Sequence, residues 1–61
     1  MEAFGSLVIG DEFKTNHGPG KFMVYKKTTK SKAIVIDQLG YGNKRCVGDT
    51  QSFSANSSVI Q

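Results

Sequence analysis

The sequence has one cysteine, Cys46, and one histidine, His17. A single thiol excludes a disulfide within the chain and any multi-cysteine zinc site. One histidine with one distant thiol falls short of a zinc ligand set, so His17 reads as a surface histidine in a loop and Cys46 as a small buried hydrophobe. Acids are few. Asp11, Glu12 and Asp37 are the ones a carboxylate-pair hydrolase would draw on, but Asp11 and Glu12 are neighbours and face opposite sides of a strand. Gly18-Pro19-Gly20-Lys21 lacks the length, the helix and the Ser/Thr of a phosphate loop. No apolar run approaches the roughly 20 residues of a membrane span. The opening Met1-Glu2-Ala3-Phe4 has an early acid and no basic stretch, unlike a secretory signal. With no triad, metal set or phosphate loop, the chain reads as a non-enzyme without cofactors, off the membrane and in the cytoplasm.

Sustained 3.6-residue periodicity is also missing, because Gly, Thr, Ser and Asn interrupt every candidate helix. What is present is β-patterned. The chain of 61 residues allows one domain, residues 1–61, with little room for a core. Its densest β-branched run is Ile34-Val35-Ile36, inside the stretch 32–41, bounded by Ser31 and Gly40; this predicts a central strand. Lys21 to Lys27 predicts a second strand. Thr28 to Ser31 joins the two as a hairpin. Asn16 to Gly20 is a loop, and Gly40-Tyr41-Gly42-Asn43 and Gly48-Asp49 are turns. Shorter pieces surround Leu7 to Ile9, Phe13, Lys44 to Val47 and Phe53. Residues 55–61, rich in Ser and Asn, read as a loose tail in which Val59 and Ile60 have the makings of an edge strand.

Four to six short strands with frequent turns predict an all-β fold, closed as a small, strongly bent SH3-like barrel to leave few edges. A three-stranded open sheet completed in a homodimer is the alternative. By period two, Phe22 and Val24 are the inward pair of one strand and Ile34 and Ile36 of the next, with Met23, Tyr25, Ala33 and Val35 on the opposite side.

Net charge is +3, and its distribution is uneven. Lys26, Lys27, Lys30, Lys32, Lys44 and Arg45 crowd one region against the single acid Asp37, while the first twelve residues hold three acids and no base. One side of so small a domain is therefore basic. These residues, with Tyr41 and Tyr25 among them, are the candidate site. Clustered cations neutralise phosphates, and exposed aromatic rings stack on unpaired bases. An acidic protein partner would suit the same cations. The plainer alternative is a solubilising hairpin whose lysines guard sheet edges.

The segment 9–16, Ile-Gly-Asp-Glu-Phe-Lys-Thr-Asn, is followed by a glycine loop, a strand, a basic hairpin, a second strand and Gly40-Tyr41. This order resembles a small β-rich module of tailed bacteriophages, found alone or beside H-N-H endonuclease and other DNA-binding domains. Ile9, Gly10, Phe13, Thr15 and Asn16 match its opening, and Ile34, Ile36, Gly40 and Tyr41 its later part. Ile36 stands where the module usually has an aromatic residue, and Leu39 where threonine is common. The hairpin is about a residue longer, and nothing after Tyr41 matches. The resemblance implies a phage origin and, by neighbourhood alone, DNA-associated work. Two binding functions are thus expected: nucleic acid held by the face from Lys26 to Arg45, or an early phage protein that docks on a host protein and inhibits or redirects it. A structural piece of a virion, which would self-assemble, is a third.

Overall fold

The computed structural model describes residues 2–61. Six strands follow in order: β1 (Glu2–Ala3), β2 (Glu12–Gly18), β3 (Lys21–Lys27), β4 (Lys32–Leu39), β5 (Thr50–Ser52) and β6 (Ser58–Val59), with one 3-10 turn at Phe4–Ser6. The long strands β2, β3 and β4 form an antiparallel meander, and β5 joins the far side of β4. β1 and β6 pair separately as a two-stranded ribbon. The ribbon meets the sheet at a bridge between Lys14 and Ile60, with backbone bonds of 2.7 and 2.8 Å. The fold is all-β, as expected, but the two antiparallel sheets are not closed into a barrel. Among the described residues no helix is long and apolar enough to cross a membrane.

Local chemistry sets the turns. Pro19 and Gly20 are the two loop residues of the β2–β3 hairpin, since Gly18 pairs with Lys21. Proline pre-sets the first position and Gly20, at φ 71°, supplies the left-handed second one. Gly40 ends β4 at φ 79°, and a Cβ there would run into the Gly20 carbonyl. Lys44 to Val47, expected as strand-like, is instead a turn, closed by the Val47 N–H on the Lys44 carbonyl at 3.3 Å. The Ser/Asn-rich residues 55–61 contain β6, where Val59 is buried.

The inward faces are the reverse of the period-two expectation. Tyr25, Lys27, Ala33 and Val35 are buried, whereas Phe22, Val24 and Ile34 are half-covered and Ile36 is 36% exposed. Two physical reasons account for this. Residues 33–36 are apolar on both sides of the strand, so alternation carries no information about the face. The aromatic rings decide it instead: Phe13 and Tyr25, directly paired across β2 and β3, stack at 5.2 Å. A β-bulge then shifts the phase. Val24 pairs with Asp37 but Tyr25 with Val35, leaving Ile36 unpaired, so Val35 and Gln38 both face inward.

The core is a four-ring cluster between the sheet and the N-terminal segment. Phe4 stacks on Phe53 at 4.8 Å, and Phe53 meets the edges of Phe13 and Tyr25 at 5.4 and 5.0 Å. Leu7, Ala33, Val35 and Val59 complete it, with Met23 and Cys46 against its margin. Aromatic pairs of this kind contribute roughly 0.5–1.5 kcal/mol each beyond area burial.

Candidate binding surface

The expected basic cluster divides on folding. Lys26 lies exposed on the outer side of β3, in register between Glu12 and Ile34. Lys30 is exposed in the β3–β4 turn, and Lys32 is exposed opposite Ser52. Lys27 leaves the surface altogether, at 4% exposure. Its Nζ donates to the Phe4 carbonyl at 3.0 Å and the Leu7 carbonyl at 2.8 Å, and stands 4.4 Å from the centre of the Phe4 ring. It satisfies the carbonyls around the 3-10 turn and so pins the N-terminal segment to the sheet. Strand parity with Tyr25 was the only trace of this in the sequence.

Further along, Lys44 pairs with Asp37 at 2.6 Å, the one ion pair among the described residues. That pairing, and the Gln38 N–H on the same carboxylate at 2.8 Å, hold the Asp37 carboxyl below its ordinary value. Arg45 is exposed, with its N–H on Asn43 Oδ1 at 3.3 Å. Tyr41 is half-buried in the loop after Gly40. Tyr25 is in the core, where burial pushes its phenol up, offset in part by the Thr15 hydroxyl. Neither tyrosine is an open stacking platform.

The outer face of the sheet carries a feature that charge patterning did not reveal. Antiparallel sheets with one face on the core usually present polar residues on the other. Here Phe22, Val24, Ile34, Ile36 and Leu39 share the outer side with Asp37, which lies opposite Val24 and carries the Lys44 ion pair; Ile36 and Leu39 are 36% and 40% exposed and the other three apolar residues are half-covered. Among the described residues, the N-terminal segment and the β1–β6 ribbon pack on the opposite side, around Phe13. Lysines surround this apolar centre: Lys14, whose Nζ is 5.2 Å from the Phe22 ring centre, with Lys26 and Lys32, and Lys44 on its carboxylate partner. At the β2 margin the returning chain at Ile60 leaves a shallow cleft of about 150 Å³, lined by Glu12, Phe13, Lys14, Val24, Ile60 and Gln61.

His17 stays on the surface, with Nε2 2.6 Å from Thr15 Oγ1, and Cys46 is half-buried with its N–H on Gln38 Oε1 at 2.8 Å. The residues of the phage-like motif are mostly fold-makers. Phe13 is core, Asn16 Oδ1 accepts the Gly18 N–H at 2.8 Å, and Gly10 and Gly40 have positive φ.

Fold and surface together define a small two-layer antiparallel β protein with an internal lysine and an apolar, lysine-rimmed sheet face. No known family, curated protein or solved structure matches the chain.

Proposed function

We propose that this protein acts by binding another protein through the outer face of its four-stranded sheet. The observation that carries this reading is the apolar set Phe22, Val24, Ile34, Ile36 and Leu39, half-covered or exposed, on the outer side of a sheet whose opposite face already packs the core. An apolar centre with a polar rim is the anatomy of a protein interface. Contiguous exposed apolar surface on a small soluble chain marks such sites. The lysine rim favours an acidic partner and speeds encounter with it. The phage-like motif supports a setting in which the chain is phage-encoded and the partner is a host protein that it inhibits or redirects. The meander followed by short returning strands supports an opened SH3-like plan, by analogy of fold alone.

The test is capture from bacterial lysate by the wild type, Ile36→Glu and, as a control, Val8→Glu, at an exposed apolar residue before β2 and outside the four-stranded sheet. A discrete protein that is retained at high salt, lost with Ile36→Glu and kept with Val8→Glu supports the outer face. A protein held equally by wild type and Ile36→Glu, or none at all, overturns it.

A nucleic-acid reading has its own support, since Lys26, Lys30 and Lys32 are exposed and take no part in the ion pair described above. It predicts DNA binding whose log affinity falls linearly with log salt. Fluorescence anisotropy at roughly 50 and 200 mM salt checks it, a span over which the electrostatic contribution changes strongly. Binding that collapses at the higher salt and in a Lys26, Lys30, Lys32 triple alanine variant supports this reading. Absence of binding at low salt removes it.

A further inference from the structure

The cleft at the β2 margin is more specific than the open face around it. Phe13, Val24 and Ile60 line it with Lys14 and Gln61, and Glu12 is the acidic residue among the described lining residues. A space of about 150 Å³ corresponds to a cavity that holds one benzene-sized group. It therefore suits a single leucine or phenylalanine side chain.

Charge selects what surrounds that side chain. Lys14 stands at the cleft wall, while Lys26 faces Glu12 across β2 and β3 and Ile34 across β3 and β4. Lys32 continues the row on β4. A second copy of this chain would bring Lys14, Lys26 and Lys32 to a face whose acids are Glu12 and the already paired Asp37, and that excess of like charge is unfavourable. Phosphates would find cations here but nothing to occupy an apolar cleft.

We infer that the cleft is an anchor site for one large apolar side chain on an acidic segment of the partner protein, with flanking carboxylates meeting Lys14 and Lys26. This rests on the outer face being the recognition surface.

The probe is a short acidic peptide with a central leucine, titrated into the isotope-labelled full chain and followed by amide NMR shifts. Shifts centred on Phe13, Lys14, Val24 and Ile60 are expected. Replacing the peptide leucine by alanine should weaken binding about tenfold or more, as burial of that side chain is lost. Val24→Asp should abolish binding, and Lys14→Glu should weaken it while leaving the core shifts in place; the second variant serves should the first fail to fold. Shifts elsewhere on the sheet, equal for the leucine and alanine peptides, overturn the anchor and leave the outer face standing as the recognition surface. No shifts at all also overturn the anchor, and the lysate capture with Ile36→Glu decides the broader proposal independently.

Discussion

The Lys27 ammonium is buried 4.4 Å from the centre of the Phe4 ring, and it donates to the carbonyls of Phe4 and Leu7. Among the described residues no carboxylate pairs with it; two carbonyl dipoles and one ring face compensate the desolvated charge. Removing it leaves a hole, takes the Lys27 donor from the Leu7 carbonyl and leaves the Phe4 carbonyl with the Leu7 N–H alone. Lys27→Ala should destabilise by roughly 2–4 kcal/mol in urea unfolding, given the usual penalties for lost packing and unsatisfied buried groups. Lys27→Met, which keeps the volume, should lose less. Lys26→Ala, one residue away on the surface, should stay within about 0.5 kcal/mol of wild type. Equal effects at positions 26 and 27 would contradict the buried placement.

Gly40 meets two constraints at once, φ 79° and contact with the Gly20 carbonyl. Gly40→Ala should therefore destabilise by about 2 kcal/mol or more, because strain and backbone displacement add. Gly42 has open space where a Cβ would stand, and Gly42→Ala should be near neutral. Thermal unfolding of the two variants side by side separates them.

Asp37 gives an acid-side signature. Its folded carboxyl lies below the ordinary 3.8, first through Lys44 and then through the Gln38 N–H. The stabilisation is complete above 3.8 and is lost as pH falls through the lower folded value. A carboxyl-carbon NMR titration should give a midpoint below 3.8. Lys44→Ala should move that midpoint upward without full recovery, since the Gln38 N–H remains. The pair is exposed, so the stability change itself should be small.

Tyr25 acts at the other end of the scale. Burial raises its phenol above 10.0 in the folded chain. Its contribution is complete below that ordinary value and lost as pH rises through the folded one, which predicts alkaline unfolding beginning above pH 10. Tyr25→Phe should shift the onset upward, while forfeiting a Thr15 contact at roughly 0.5–1.5 kcal/mol. Ultraviolet absorbance against pH, in both proteins, reads the difference.

Strand positions were legible because breakers and β-branched runs frame them. Lys21 to Lys27 appears as β3 with both ends as expected, and the stretch 32–41 appears as β4, Lys32–Leu39. The faces were not legible. Ala33 to Ile36 is apolar throughout, and the bulge at Ile36 resets the alternation within β4. Aromatic packing from distant Phe4, Phe13 and Phe53 makes the choice, and nothing local announces it. The basic hairpin was visible as charge. The withdrawal of Lys27 was not, because its acceptors are carbonyls some twenty residues earlier. The cleft was invisible for the same reason: positions 12–14, 24 and 60–61 meet only after folding.

The pairing of Glu2 with Val59 bears on how the chain is made. Nearly all the chain separates these two residues, and closing so long a loop carries an entropy cost of roughly 3–4 kcal/mol before any contact is gained. The ribbon cannot form during synthesis until residue 59 has left the ribosome. The nascent chain must therefore hold Phe4, Phe13 and Tyr25 without the Val59 side of their enclosure, and the emergence of Ser58 and Val59 completes it.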